Sequence, residues 1–571
     1  MGAAGIHITY NREEKMAEKK RILIVGGVAG GASAATRARR MSETAEIIIF
    51  ERGGEISSAT CGFPYYIGGV IADRDHLFMQ TPERIKKRYH LEVRTGTEVL
   101  KIARERKEIL TRNLETGEEK TEHYDALILS PGAEPVRPEI PGIKSELVFT
   151  LRSAADTDRI KKFVDENKPA AAAVIGGGYI GLEMTEALVA RQVKVTLLEL
   201  SDQVMASLDP EMAEFLHQHL LAKGVNLRLK TSVKKLEPKD GRLKLLLSNG
   251  ETMECDMVVL GIGVRPEVKL AKEAGLQIGE TGGIAVNEEM RTSDPDIFAV
   301  GDAVEVAHLV GNFKALIPLA GPANRQARIA ATNIFRPGSL TYKKTQGTAI
   351  CKVFDLAAGG TGLNEKTLKR LKWPYEKIYI HAASHATYYP GSSPVRLKLL
   401  FDPKTGKIFG AQVVGAEGVD KRIDVLAVAI RAGLTVFDLE DLELCYAPPY
   451  GSAKDPVNYA GFAAANIIRG DMGVCHGEEI LNLKPDQLIL DVRTRFEVKA
   501  GAIPGSVSIP IDDLRSRLGE LPKDKEILVH CASGLRSYLA CRILSQNGFR
   551  CRNFSGGFTN YLAVTGNPPK I

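Results

Sequence analysis

Apolar runs of four to five residues recur along the chain, each ending in glycine or an acid and followed by a stretch of helical length. The first, Ile22-Leu-Ile-Val25, stops at Gly26-Gly27-Val28-Ala29-Gly30-Gly31 and passes into the small-residue segment Ala32 to Arg40; a second run, Ile47-Ile-Ile-Phe50, then ends in Glu51. Hydrophobicity that is continuous rather than alternating predicts parallel strands covered on both faces and joined through a helix. The pattern returns at Ala171-Ala-Ala-Val-Ile175, followed by Gly176-Gly-Gly-Tyr-Ile-Gly181, a helix, and Val193-Lys-Val-Thr-Leu-Leu-Glu199. The expected fold class is α/β.

Strand, glycine turn, helix, strand and acid is the order in which a Rossmann unit sets a pyrophosphate on a helix N-terminus and an adenosine ribose on a carboxylate. In the first unit Gly26, Gly30 and Gly31 form the turn, Val28 stands where the second fingerprint glycine is usual, and Glu51 is the acid. The second unit has the full fingerprint at Gly176, Gly178 and Gly181, with Glu199 as the acid. A carboxylate there, with no arginine after it, accepts from a ribose 2′-hydroxyl and repels a 2′-phosphate, so NADH is expected over NADPH.

Length and composition widen the picture. At roughly 100–200 residues per domain, a chain of 571 residues predicts three to five domains. With 44% hydrophobic and 26% charged residues it has the balance of an ordinary globular protein. No apolar run reaches the length of a membrane span. The net charge of +6 is too small and dispersed for a nucleic-acid footprint. The first twenty residues hold no signal-peptide core, which makes a cytoplasmic location the default, and Met16 is a candidate start with a leader before it. The eight cysteines, at 61, 255, 351, 445, 475, 531, 541 and 551, never stand closer than ten positions apart. That spacing excludes CxxC redox motifs and CxxC zinc sites, and no metal is expected.

Two more segments bring a family into view. Tyr124-Asp-Ala-Leu-Ile-Leu-Ser-Pro-Gly-Ala133, which contains Gly132, and Thr292-Ser-Asp-Pro-Asp-Ile-Phe-Ala-Val-Gly-Asp302 resemble the additional FAD signatures of the pyridine nucleotide–disulfide oxidoreductases. The resemblance runs from about residue 20 to about residue 465. It implies an FAD-binding domain over 20–150 and 266–338, an NAD-binding domain over 151–265 and an α+β dimerisation domain over 339–468, with Asp302 on the flavin's ribityl chain and a homodimer as the working unit.

Members of this family differ in the redox group that faces the flavin. Here the segment after Glu51 carries one cysteine, in Ser57-Ser-Ala-Thr-Cys61-Gly-Phe-Pro-Tyr-Tyr66, and the next cysteine is far away at 255, so a paired-cysteine disulfide is absent. A lone thiolate cycles instead through a mixed disulfide, a persulfide or a sulfenic acid. The single-cysteine peroxidase and oxidase branch carries a histidine where this chain has Ala29. The GGVAGG loop, the lone cysteine and the segments Ala349 to Asp355, His385 to Gly391, Asp420 to Val425 and Tyr446 to Tyr450 more closely resemble coenzyme A-disulfide reductases. That resemblance implies that Tyr388 and Tyr446 reach across a dimer to the other subunit's cysteine, where a phenol can donate a proton to a leaving thiolate. It also implies that Arg37 and Arg40, which share one helix face at i and i+3, lie where coenzyme A phosphates bind. Those enzymes carry glutamine in place of Arg37 and asparagine in place of Thr60.

About 100 residues follow the dimerisation pattern. Leu488-Ile-Leu-Asp491-Val-Arg493, Gly501-Ala-Ile-Pro-Gly505 and Ile527-Leu-Val-His-Cys531-Ala-Ser-Gly-Leu-Arg536-Ser537 resemble a rhodanese domain over 475–571, with Ala502 where histidine is usual. Cys531 follows a strand and opens a tight loop into a helix, so backbone N–H groups are expected to face its sulfur and to stabilise a thiolate or persulfide anion. A cysteine phosphatase needs five residues between cysteine and arginine; here four separate Cys531 from Arg536, a cradle sized for sulfur. Cys541 and Cys551 are expected in the core.

The expected activity is FAD- and NADH-dependent reduction of coenzyme A persulfide or other sulfane sulfur at Cys61, with sulfur relayed by Cys531 and with coenzyme A as substrate or bound thiol. The alternatives are a coenzyme A-disulfide reductase with an accessory sulfurtransferase domain, and an NADH oxidase or peroxidase with a non-catalytic rhodanese-like docking domain.

Overall fold

The two apolar runs that precede the glycine turns become the central strands of two separate parallel sheets. In a computed structural model that describes residues 19–566, Arg21–Val25 pairs with Glu46–Phe50 on one side and Ala126–Leu129 on the other. Glu92–Arg94 closes one edge and Ile297–Ala299 the other, so the last strand of this sheet arrives only after the whole second unit. Ala171–Ile175 takes the same central place in the second sheet, between Lys194–Leu198 and Met257–Leu260, with Asn226–Arg228 and Val148–Thr150 at the edges. Ile22, Leu23, Ile24, Ala173 and Val174 have no exposed surface. Helices cover both faces, which is why these strands lack alternation. The Met16 start and residues 567–571 lie outside the described residues.

The third unit is antiparallel. Its five strands run in the order Ala349–Val353, Leu356–Gly362, Ile408–Gly415, Pro394–Phe401, Glu376–Ala383, with the helices Val419–Ala432 and Pro456–Ile468 packed against them. The fourth unit is a wholly parallel sheet ordered Val474–Cys475, Cys551–Phe554, Glu526–His530, Gln487–Asp491, Val507–Ser508. The architecture is the expected α/β arrangement of two dinucleotide-type units, an α+β unit and a C-terminal α/β unit.

A buried charge cluster joins these units. The Lys398 ammonium, with no exposed surface, lies 2.8 Å from Asp209, 2.5 Å from Glu211 and 2.6 Å from Glu365. The three carboxylates have the spacing of a metal site, but the ammonium supplies the positive charge among them. Lys377 extends the cluster, bonding Glu365 and Glu478 at 3.0 Å each, and Glu478 belongs to the fourth unit. Around it the His476 ring meets Glu376 at 2.8 Å and the Tyr379 backbone N–H donates to Ser555 Oγ at 3.0 Å. The C-terminal unit is thereby tied to the third by charge and backbone hydrogen bonds.

Candidate active site

Both glycine turns open into one cleft of about 1760 Å³, lined by Gly26, Val28, Gly30, Glu51, Gly132 and Asp302 in one half and by Gly176, Gly178 and Glu199 in the other. The turns repeat each other closely. Gly26 and Gly176 sit at φ +94° and +104°, where a side chain would be strained. A Cβ on Gly31 would stand 1.8 Å from the Gly26 carbonyl oxygen, and one on Gly181 would stand 1.9 Å from that of Gly176. Helix and strand therefore approach as closely as a dinucleotide turn requires. Gly178 has only the Gly261 carbonyl near its bare face, at 3.9 Å from where a Cβ would be.

The acids answer to each other in the same way. Glu51 accepts from the N–H groups of Gly27 and Gly53 at 2.7 Å each, and Glu199 from those of Gly177 at 2.6 Å and Ser201 at 2.7 Å. Each carboxylate fastens its turn to the end of the second strand and retains acceptor capacity for a ribose hydroxyl. Two such turns with two such acids on one cleft could hold two dinucleotides.

Cys61 lines this cleft from a single tight turn, Thr60–Gly62, directly before the short helix Phe63–Ile67. Its side chain is exposed to the cleft, yet partial burial by the cleft wall pushes the thiol up, and Glu183 adds to this while the Thr60 hydroxyl opposes it. Glu183 comes from the helix Tyr179–Ala190 that follows the second glycine turn. Burial and the neighbouring Glu186 push Glu183 up to about 7, and its hydrogen bond with Tyr65 opposes them. Asp302 is held up by burial, against the pull of Arg152. Sequence reasoning missed Glu183 and Arg152, both on the cleft wall. The signal for Glu183 was present: an acid two positions past Gly181, on a helix whose only other charged residue is Glu186.

Tyr388 and Tyr446 do not line their own chain's cleft. Both are exposed, and their hydroxyls share a hydrogen bond of 2.7 Å. Arg422, 1% exposed, holds the two loops in place: it donates to the Ser384 carbonyl at 2.7 Å, before one tyrosine, and to Asp455 at 2.8 Å, after the other. The Asp420 to Val425 segment thus has a positioning residue that its motif alone did not reveal.

Arg37 lies half-buried between the helices Ala29–Met41 and Ala320–Phe335, donating from Nε to Thr332 Oγ1 at 3.0 Å. Burial lowers its hold on the proton, as do the nearby charges of Arg328, Arg40 and Arg336. Arg328, Arg40 and Arg336 thus gather positive charge around Arg37 at this helix pair.

Cys531, 1% exposed, ends the strand Glu526–His530. Its sulfur accepts from the Gly534 N–H at 3.1 Å and from the Ser537 hydroxyl at 3.4 Å, at the start of the helix Leu535–Gln546. Where several backbone N–H groups are expected, the structure supplies one, from Gly534, together with the Ser537 hydroxyl. Arg536 makes a two-pronged ion pair with Glu497, at 2.8 and 2.6 Å, a partner that sequence reasoning did not name. His530 is buried beside Asp491 and held neutral by that burial, at about 4. Cys541 is buried on the helix and Cys551 half-buried on the next strand, in the expected core.

The fold and the site define a two-dinucleotide oxidoreductase with one cysteine at its cleft, joined to a second unit built around another cysteine. Residues 20–327 match the family Pyridine nucleotide-disulphide oxidoreductase, 348–455 the dimerisation domain of that family, and 478–563 the Rhodanese-like domain. The chain belongs to the pyridine nucleotide–disulphide oxidoreductases, a family that uses FAD and NAD(P)H, and carries a rhodanese domain at its C-terminal end. The crystal structure of reduced Bacillus anthracis CoADR-RHD is 51% identical, covers 96% of this chain and 98% of that one, and superposes with a TM-score of 0.94. A NAD-dependent persulfide reductase from A. fulgidus is 39% identical over 95% of this chain and 99% of its own, with a TM-score of 0.88. The coenzyme A disulfide reductase of Staphylococcus aureus (strain JH9) is 36% identical over 444 residues, 78% of this chain and 99% of the relative. Among the described residues no helix is long and apolar enough to cross a membrane.

Proposed function

We propose that this enzyme uses NADH and FAD to reduce a persulfide of coenzyme A at Cys61, with Cys531 carrying sulfane sulfur to that site. The observation that carries the reading is the separation of two solitary sulfurs: Cys61 on the wall of the two-nucleotide cleft, and Cys531 in a cradle of N–H and O–H donors. Gly26, Gly30, Gly31, Glu51, Gly132 and Asp302 would hold FAD; Gly176, Gly178, Gly181 and Glu199 would hold NADH in preference to NADPH. When bound, these cofactors supply the electron pair.

The chain's own residues supply the rest. Cys61 thiolate attacks the coenzyme A sulfur of CoA–S–SH, giving the mixed disulfide Cys61–S–S–CoA and releasing hydrosulfide. Two electrons and one proton then return Cys61 to the thiolate and release CoA–SH. Because the groups around Cys61 in one chain favour the neutral thiol, proton control has to come from elsewhere. Tyr388 and Tyr446 of a second copy are the donors this reading assigns, which makes a homodimer part of the active site. Arg37 and Arg40 would take the coenzyme A phosphates.

The second reading is a coenzyme A-disulfide reductase with an accessory sulfurtransferase. The Staphylococcus aureus relative, named a coenzyme A disulfide reductase, supports it over the 78% of the chain it matches, and the rhodanese-like tail supports the persulfide reading. Comparing NADH turnover on coenzyme A persulfide and on coenzyme A disulfide separates them, and a large preference for the disulfide overturns the persulfide assignment. Cys61→Ser is expected to abolish both turnovers, Cys531→Ser only those that need sulfur relay.

A further inference from the structure

The cations that meet the Cys531 loop are already paired. Arg536 gives both guanidinium nitrogens to Glu497, and that contact holds the Glu497 carboxylate down to about 2. Arg493 gives Nε and a terminal nitrogen to Asp491 and donates to the Gly501 carbonyl as well. Arg495 and Lys499 stand two positions either side of Glu497 on the helix Arg495–Lys499, and so face away from it. The sulfur accepts from two neutral groups, the Gly534 N–H and the Ser537 hydroxyl, and the cation that also reaches it, Arg536, is the one that Glu497 pairs.

Exposed apolar side chains stand beside the residues that surround Cys531. Phe496 and Leu535 immediately precede the two partners of the Glu497–Arg536 pair, and Leu539 follows Leu535 by one helical turn; they are 83%, 57% and 48% exposed. A bulky sulfur donor cannot enter, because Cys531 is only 1% exposed. The donor must therefore present its sulfur on a slim arm that passes these side chains.

From the neutralised loop and the apolar side chains beside it we infer that Cys531 takes sulfur from an alkyl persulfide on a slim, uncharged arm, and discriminates against the thiosulfate dianion. The inference rests on the reading of Cys531 as a sulfur carrier. In the step, the Cys531 thiolate attacks the terminal sulfur of R–S–SH; the new bond is Cys531–S–SH, the broken bond is R–S to that sulfur, and R–S⁻ leaves with the charge. Thiosulfate would instead bring two negative charges to a loop whose guanidinium is cancelled by Glu497, and would expel sulfite.

The test uses the full-length holoenzyme with two probes, N-acetylcysteamine persulfide and thiosulfate, and follows the gain of one sulfur on the Cys531 peptide by mass spectrometry. Wild type is expected to load from the persulfide at least about tenfold faster. Glu497→Gln keeps the hydrogen-bonding shape of the cap at Thr494 but removes the countercharge, and is expected to raise loading from thiosulfate several-fold while leaving the persulfide rate nearly unchanged. Phe496→Ser and Leu535→Ser, both at exposed positions, are expected to slow loading from the persulfide only. Equal or faster loading of wild type from thiosulfate, or no response of thiosulfate loading to Glu497→Gln, overturns this inference and leaves the carrier role standing. Loading from neither probe overturns the carrier role and the inference together.

Discussion

The hydroxyls of Tyr388 and Tyr446 meet at 2.7 Å although the residues lie 58 positions apart and each is exposed on its own chain. In this bond one hydroxyl donates and the other accepts, so the accepting phenol keeps its own O–H free for a third group. Arg422 ties down the chain on both sides of the pair, at Ser384 and at Asp455.

Tyr388→Phe and Tyr446→Phe are each expected to lower turnover by about 10²–10⁴-fold, with the double variant little worse than either single one. Steady-state kinetics with NADH and coenzyme A persulfide measures this. Mixing Cys61→Ser and Tyr446→Phe chains under conditions of subunit exchange should restore part of the activity, because one hybrid site then has both groups intact. Failure of any mixture to recover activity argues against a site shared between copies.

Glu183, held up to about 7, ionises across neutral pH, and each new carboxylate charge opposes ionisation of the Cys61 thiol. Glu183→Gln removes that charge, so the thiol ionises more readily. Alkylation of Cys61 by iodoacetamide in the holoenzyme should become several-fold faster at neutral pH, with its profile displaced to lower pH. An unchanged profile would show that Glu183 does not act on the thiol.

Lys398→Met leaves Asp209, Glu211 and Glu365 buried without their cation. Breaking a buried ion set in this way costs about 3–5 kcal/mol, which a thermal or denaturant unfolding curve resolves. Adding Glu211→Gln and Glu365→Gln should recover part of the loss, since uncompensated charge rather than lost packing is the cause. The cluster also reaches Glu478, so limited proteolysis should release the C-terminal unit more readily in the single variant.

Glu199→Ser removes the carboxylate that would repel a 2′-phosphate and accept from a 2′-hydroxyl. The ratio of kcat/KM for NADPH to that for NADH is expected to rise by about tenfold or more. A ratio that stays put would place nucleotide discrimination elsewhere in the cleft.

Much of this molecule is legible along the chain. The glycine turns, their acids and the strands that carry them are contiguous patterns, and the structure sets both turns and both acids on one cleft, with Gly31 and Gly181 packed behind against the Gly26 and Gly176 carbonyls. The cysteine loops at 61 and 531 are contiguous as well, so the donors to Cys531 follow from its place between a strand and a helix. What escaped was pairing at a distance. Glu497 stands 39 positions from Arg536, and nothing in its own segment distinguishes it from any helix-capping acid. Glu183 carries a local sign, but only the packing of its helix against the Cys61 turn makes that sign meaningful.

Local pattern set out the two dinucleotide units and the two solitary cysteines, because strands, tight turns and caps are set by neighbours within a few positions; the third unit and the rhodanese-like tail came through motif resemblance, and the antiparallel order of the third unit came from the structure. Only the tertiary structure decided that Lys398 fills a triad of carboxylates, that Arg536 is neutralised by Glu497, and that Tyr388 joins Tyr446. Those are contacts between charged and polar groups far apart in the chain, 39 positions for Glu497 and Arg536, 58 for Tyr388 and Tyr446, and between two units for Lys398 and Asp209. Burial strengthens such contacts by excluding water, yet ion pairing has no periodicity, and so it leaves no trace in the order of residues.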